Sequence, residues 1–451
     1  MQYLFINQIM FIDIHTHPTL KPFTNNGNIF IEHKNNQKSK NVFHKLVKSI
    51  ISLLTKDIPK HSQSHFQSLI QGNFNIIITS FFALEKEFFN TKILPKKLDL
   101  PLLSHLTGVP ENKVTLDYYN FIYNEMLWLK EQEKNNTQLY NFVIAKNYSH
   151  IERIHRKNPK TLCVIPSIEG IQCLLTYDEL KNPNKELLLS RLDSLPLKPF
   201  FITFNHHFWN GLSSNADSVQ SFLFTQKNEF KGISPLGLEI IDSLIERGIL
   251  IDIKHFDGDS RRDFYNHIRG KNIPIICSHT GISTWENLSD IKDDHKRNKK
   301  SFFHELEINI CGEDVREIVN SGGLIGIQMD KKRLVGSRVK ITEDNVTEVI
   351  IANILKCVEF GGIQTWNHIS IGSDFDGMIT HLPGLLKSED FPKLYFEILN
   401  FLICPKDILF KGDLIYSKEK IDSLIGGRYV KELVDRIFGL NAKEFLKRNF
   451  F

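Results

Sequence analysis

Near its N-terminus the chain reads Asp13-Ile14-His15-Thr16-His17-Pro18, which sets two imidazoles two residues apart at the end of an apolar run. Alternate residues of a strand face the same way, so His15 and His17 can reach one metal ion from the strand's C-terminal end. Taken alone, so short a pattern also describes a pair of histidines on a surface loop. The other groups able to bind a metal or move a proton decide between the two. Glu169, His206, His255, His279 and Asp374 each follow directly on a short apolar run. Singly, Glu169 could be half of a structural ion pair and His206 a hydrogen-bonded core histidine, since any buried polar group needs a partner. With 18 histidines in the chain one such coincidence is cheap, but the set of five together is not. In Gly372-Ser373-Asp374-Phe375-Asp376-Gly377, which could also be a plain turn, Asp374 is nearer the strand end and is read as the functional carboxylate. Asp376 is read as support for the loop.

The runs that must position these groups are Phe11 to Ile14, Asn75 to Phe82, Leu162 to Ile168, Phe200 to Asn205, Ile249 to Lys254, Ile273 to Ser278, Leu324 to Met329 and His368 to Ser373. They are nearly continuous in apolar residues rather than alternating, as strands buried on both faces of a parallel sheet are. Helical spacing lies between several of them. It is clearest from Ser234 to Arg247, where Leu236, Ile240, Ile241 and Leu244 recur, with Ser234-Pro235 as the start signal and Gly248 as the stop. Strands alternating with helices predict an α/β fold, a (β/α)8 TIM barrel with long loop insertions. The whole chain, residues 1–451, is read as one domain, with a barrel core over about 11–400 and closing helices over about 415–451. In such a barrel the strand ends converge on a single mouth, so all seven candidates are expected to meet there. Phe142 to Ala145 is a candidate ninth strand, and the polar stretches Lys21 to Lys40 and Ser283 to Lys300 read as solvated loops.

Composition narrows the function classes. Lys and Arg number 56 against 52 Asp and Glu, a surplus too small to build a polyanion-binding surface, so no nucleic acid partner is implied. The 34 phenylalanines point to a Phe-rich core and nothing more. Cys163, Cys173, Cys277, Cys311, Cys357 and Cys404 contain no CxxC pair, which suits a reducing cytoplasm and offers no thiolate zinc site. No stretch approaches the roughly 20 apolar residues of a membrane helix. The apolar start, Met1 to Ile14, has no basic leader region and runs straight into the His-x-His motif, so cleavage as a signal peptide is not expected. Met10 is an alternative start to Met1.

From Phe11 to the C-terminal helices the chain resembles the membrane (renal) dipeptidase family of zinc peptidases, among the amidohydrolase-type barrels. The resemblance is carried by Ser234-Pro235-Leu236-Gly237, by Gly248-Ile249-Leu250-Ile251-Asp252-Ile253-Lys254-His255 and by Ile276-Cys277-Ser278-His279. Ser167-Ile168-Glu169-Gly170 is similar to the family's Glu-Gly metal-bridging motif, and Ile371 to Gly377 to its Gly-x-Asp-Phe-Asp-Gly motif. The resemblance implies zinc, as one or two ions. His15, His17 and Glu169 would hold the first, and Glu169, His255 and His279 the second. Two positions depart from the pattern. His17 stands where the family usually has Asp, which removes a negative charge and leaves open whether the first ion binds. Lys254 stands where Ser is common, and strand alternation is expected to aim it away from His255.

Carried over by motif, Asp374 would act as general base and then acid, and His206 would hydrogen-bond the oxyanion, with His207 as its alternative. The implied activity is zinc-dependent hydrolysis of dipeptides, small substrates, with a homodimer suggested by the family but no interface patch identifiable. The same metal core also suits another amide, a lactone or a cyclic imide, and His-x-His is the common first-strand form there. A third reading is a barrel that binds without turnover. The loops Lys21 to Lys40 and Ser283 to Gly312 are expected to set specificity.

Overall fold

Apolar runs with no polar face fold where both faces can be covered, and here they become parallel strands. In the computed structural model, which describes residues 10–33, 59, 61–89, 104, 108–218, 228–292 and 295–451, the strands are β1 (Phe11–Thr16), β2 (Phe74–Phe81), β3 (Phe142–Ile144), β4 (Leu162–Glu169), β5 (Phe201–Thr203), β6 (Leu250–Asp252), β7 (Ile276–Thr280), β8 (Leu324–Ile327) and β9 (Ile369–Ile371). The hydrogen-bonded order is β2-β1-β9-β8-β7-β6-β5-β4, and β4 pairs back onto β2 from Ile76↔Cys163 to Phe81↔Ile168. That closure makes an eight-stranded parallel barrel, as the sequence predicts. The candidate ninth strand, β3, stays outside the ring and pairs only with Leu162, Cys163 and Val164 at the start of β4.

Helices α1 (Tyr118–Gln132), α2 (Tyr148–Lys157), α3 (Lys185–Asp193), α4 (Pro235–Glu246), α5 (Gly258–Ile268), α6 (Gly312–Asn320), α7 (Val346–Gly361) and α8 (Phe391–Ile403) alternate with the strands. In α4 the Ser234 side chain accepts from Gly237 N with Pro235 in the first turn, and Gly248 leaves the helix at φ +69°, a conformation glycine adopts without a Cβ clash. The last helix, α9 (Asn441–Asn449), packs Ala442, Phe445 and Leu446 onto Ile12, Ile76, Phe201, Ile276 and Leu324, at or near the first residues of their strands. Asn441 pins it there by donating to the carbonyls of Trp366 and Ile369, both at 2.8 Å. With one end of the barrel covered in this way, the opposite end is left for chemistry.

Several boundaries differ from the sequence reading. Strands β5, β6 and β9 stop two residues early, at Thr203, Asp252 and Ile371, because the following residues turn to meet the mouth instead of continuing the ladder. Strand β7 runs later than expected, from Ile276, so His279 lies within it. The stretch expected to be loop from Lys21 begins inside a helical turn, Leu20–Thr24, and its residues 34–40 lie outside the described residues. Ser283 to Lys300 holds a short turn at Leu288–Asp290, closed by reciprocal Asn287 and Asp290 hydrogen bonds, and a helix at His295–Lys300. Of the two candidate starts, Met1 lies outside the described residues. Among the described residues no helix is long and apolar enough to cross a membrane.

Candidate metal centre

The first strand carries its two histidines through an irregularity. The β1–β2 register shifts between Asp13 and Thr16, and buried Asp13 accepts from His15 N at 3.1 Å and Ser373 N at 3.0 Å, tying β1 to the end of β9. This bulged end brings the Nε2 atoms of His15 and His17 to 3.1 Å of one another. His17 Nδ1 meets the Ser80 carbonyl at 2.9 Å, which only a protonated Nδ1 can satisfy, so Nε2 is the nitrogen turned to the mouth. Ser80 Oγ lies 3.1 Å from His15 Nδ1, and Ser278 Oγ 2.9 Å from His279 Nδ1. Asp252, fully buried, braces β5, β6 and β7 by accepting from Thr203 Oγ1 and Ser278 Oγ at 2.6 Å.

Glu169, the last residue of β4, stands at the centre. Its Oε1 is 3.5 Å from His15 Nε2, 3.3 Å from His255 Nε2 and 3.5 Å from His279 Nε2. Its Oε2 is 3.3 Å from His17 Nε2 and 3.6 Å from His206 Nε2. Asp374 Oδ1 faces His17 Nε2 at 3.3 Å and His15 Nε2 at 3.8 Å, while its Oδ2 accepts from Gln328 Nε2 at 2.6 Å. His255 and Asp374 both lie just beyond their strands with left-handed backbones, φ +69° and +59°. For residues with a Cβ this costs about 1–3 kcal/mol each, strain of the kind that gathers at functional sites.

The electrostatics follow from burying so many groups together. Burial would raise the Glu169 carboxyl, but the His206 and His15 imidazoles outweigh it and hold it well below the ordinary value. Burial also lowers His17, yet Asp374 and Glu169 overcome it and lift the ring to about 10. His255 is driven down to about 3 by burial, against the pull of Glu169. Imidazole nitrogens and carboxylate oxygens gathered at 3.3–3.8 Å, where a bound cation would take the place of the proton that the carboxylates otherwise hold on His17, are the donor set a divalent cation takes. Three trios have all their ligand atoms within 4.8 Å: His15, Glu169 and His279; His15, His17 and Asp374; and Glu169, His206 and His255. The residues present therefore fit a metal.

All seven candidates named from the sequence are brought together, two of them beyond their expected station. Asp374 and His206, read as catalytic, stand at ligand distance as well. His207 turns away, with Nδ1 2.7 Å from Ser218 Oγ, so His206 is the one that faces Glu169. Strand alternation does not govern Lys254, because β6 ends at Asp252. The buried ammonium instead donates to the Ile308 carbonyl at 3.3 Å. Asp376 supports the loop, receiving Lys21 Nζ at 2.7 Å and Ser64 N and Oγ at 2.9 and 2.7 Å. Gln328, Ser80 and Glu85 were missed. Gln328 and Ser80 do sit at strand ends, but amide and hydroxyl groups carry no ligand signal. Glu85 lies in the loop Leu84-Glu85-Lys86-Glu87, which reads as solvated surface.

A model of the membrane dipeptidase family, peptidase family M19, matches residues 61–408. A Schizosaccharomyces pombe protein described as an uncharacterized dipeptidase is 26% identical over 201 residues, which is 44% of this chain and 40% of that protein. The match thus spans less than half of that relative's length. Two solved structures share the fold. A Rhodobacter sphaeroides metallo peptidase, liganded with a phosphinate mimic of the dipeptide L-Ala-D-Ala, superposes with a TM-score of 0.56 at 13% identity, covering 98% of this chain and 99% of that one. The probable dipeptidase PvdM of Pseudomonas aeruginosa gives 0.59 at 12% identity, covering 99% and 96%.

Proposed function

The chain belongs to the membrane dipeptidase family of peptidases, and from that premise we propose that it hydrolyses dipeptides with zinc as its cofactor. The observation that carries the reading is Glu169, whose two oxygens face five imidazoles from four other strand ends. His15, His17 and Glu169 would hold one ion and Glu169, His255 and His279 the other, with Glu169 shared. The Asp374 carboxylate replaces the charge that His17 does not bring. Bound zinc supplies Lewis-acid chemistry and acidifies water.

The chain's own groups do the rest. Asp374 Oδ1, freed for the mouth because Gln328 occupies Oδ2, accepts the proton of the attacking water and returns it to the leaving amine. His206 Nε2 donates to the oxygen on which negative charge develops. A reducing compartment is supported by six free cysteines, and a homodimer is part of the same proposal, tested by sedimentation.

The decisive experiment is metal analysis of the purified chain together with a substrate panel of L,L- and L,D-dipeptides, N-acyl amino acids, a lactone and a cyclic imide. Zinc at one or two equivalents with turnover confined to dipeptides is expected. Turnover of the lactone or imide alone replaces this substrate class with the other. No metal and no turnover refutes the reading.

A further inference from the structure

One buried ionic contact at the mouth has no part in holding a cation. Glu85, 2% exposed, places Oε2 3.0 Å from His206 Nδ1. The two atoms meet as an ion pair rather than as an aligned hydrogen bond, and neither has a hydrogen-bond partner elsewhere. The adjacent ammonium of Lys86 is turned onto the Tyr177 ring, 3.9 Å from its centroid, so it does not neutralise Glu85. A buried carboxylate is costly unless a partner satisfies it, so a carboxylate placed here needs a reason.

Its other oxygen explains how it is fixed. Oε1 accepts from Gln172 Nε2 at 3.0 Å and from Phe208 N at 3.3 Å. Gln172 follows Glu169 by three residues and Phe208 follows His206 by two. Glu85 is thus bracketed by the segments that directly follow the central carboxylate and the histidine beside it. The Nδ1 atoms of His15, His17 and His279 face neutral oxygens, Ser80 Oγ, the Ser80 carbonyl and Ser278 Oγ. Among these rings only His206 meets a carboxylate at Nδ1, which sets it apart from the histidines that present a lone pair.

We propose that Glu85 is the positioning residue of His206. It takes the Nδ1 side of the ring and turns Nε2 toward Glu169, where the oxyanion of hydrolysis needs a donor. A fixed carboxylate behind an imidazole orients the ring and favours its action as a donor on the far side. This inference rests on the hydrolytic reading above.

The test is a double-mutant cycle on the zinc-loaded chain, with Glu85→Gln, Glu85→Ala, His206→Ala and Glu85→Ala/His206→Ala. Wild-type turnover of a dipeptide is measured first, so that failure of the hydrolytic reading is distinguished from failure of the role given to Glu85. Glu85→Gln should lower kcat by about 10–100-fold with KM nearly unchanged, up to the scale of removing an oxyanion donor. Calorimetry with a phosphinate analogue of the dipeptide, which carries the tetrahedral anion, should show its affinity falling by the same factor, with zinc content retained. In the His206→Ala background Glu85→Ala should cost no more than about 2-fold further, since the two act as a unit. Losses that multiply instead of coinciding overturn the proposal. So does wild-type phosphinate affinity in Glu85→Gln, or loss of zinc from it, which would make Glu85 the support of a ligand.

Discussion

Asp374 and Asp376 are two residues apart in one turn, and replacing each by Asn should separate catalysis from stability. Asp376 is buried and faces away from the imidazoles. Its oxygens accept from Lys21 Nζ at 2.7 Å, Gln63 N at 3.0 Å, and Ser64 N and Oγ at 2.9 and 2.7 Å. Lys21 is itself buried, with one further contact, to the His61 carbonyl at 3.4 Å. Asp376→Asn leaves that ammonium without its counter-charge, and breaking a buried pair costs about 3–5 kcal/mol. Asn can still accept from one backbone N–H, which argues for the lower end. At about 2.1 cal/mol/K per residue, 451 residues give an unfolding entropy of roughly 0.95 kcal/mol/K, so ~3 kcal/mol lowers Tm by ~3 °C. Burial works to raise the Asp376 carboxyl, but Lys21 and Ser64 outweigh it and hold it below the ordinary value. A depressed carboxyl contributes stability at pH above its unfolded value of about 3.9 and loses it as pH falls through the folded value. The variant's deficit should therefore be full at pH 7 and shrink in acid. Differential scanning calorimetry at pH 7 and at about pH 3, below the unfolded value, with kcat per folded molecule at 25 °C, measures both sides. Unchanged Tm with lost turnover would transfer the catalytic role to Asp376 and overturn this division of labour.

Three further outcomes rest on the same geometry. Asp374→Asn should lower kcat by about 100-fold or more, the scale for removing a positioned acid/base. Its Tm should stay near wild type, and plasma emission should show whether zinc binding at His15 and His17 is weakened as well. Glu169→Gln should release more zinc than His15→Ala in equilibrium dialysis, because Glu169 would be shared by both ions, its two oxygens facing five imidazoles, whereas His15 would hold one ion. Equal losses would point to a single-ion centre. Burial pushes the Glu125 carboxyl up to about 8, against the nearby Thr19 hydroxyl and the charge of His17. An acid raised in the folded state costs stability as pH climbs from its unfolded value of about 4.3 toward the folded one, up to ~1.4 kcal/mol per pH unit. Glu125→Gln should accordingly raise Tm at pH 7 and flatten the dependence between pH 5 and 8. An unchanged profile would show that Glu125 is ionised.

The barrel was legible because its strands are buried on both faces. A run such as Ile76 to Ile78 or Leu162 to Ile165 has no polar positions to disguise it, and its length excludes a helix. Boundaries were less legible at the mouth. Phe204 and Ile253 continue the apolar runs, yet the chain leaves the ladder at Thr203 and Asp252. Local pattern cannot report that departure, since the left-handed turn at His255 is set by the need to aim the ring at Glu169. For Lys254 the reason and not the outcome differs: Nζ is turned to the Ile308 carbonyl by the chain beyond β6 and not by alternation along a strand that had already ended.

In the centre itself, the legible residues were those whose chemistry is unusual at a strand end. Five imidazoles and two carboxylates stand out because burying them without a partner is costly. The groups that orient them do not stand out. Ser80, Ser278 and Gln328 are common residues whose role comes from their hydrogen bonds to rings and carboxylates. Glu85 is harder still, because the sequence shows it between a leucine and a lysine in a charged loop. Only the closure of β2 onto β4 folds that loop under His206. What a sequence exposes is the set of groups that could hold a cation. Which oxygen of Asp374 is free, and which face of His206 is turned inward, are decided by contacts 46 and 121 residues away in the chain, Gln328 and Glu85. Turnover depends on those choices more than on the presence of the ligands, which is why a chain can keep all seven candidates and still be tested most sharply at Glu85.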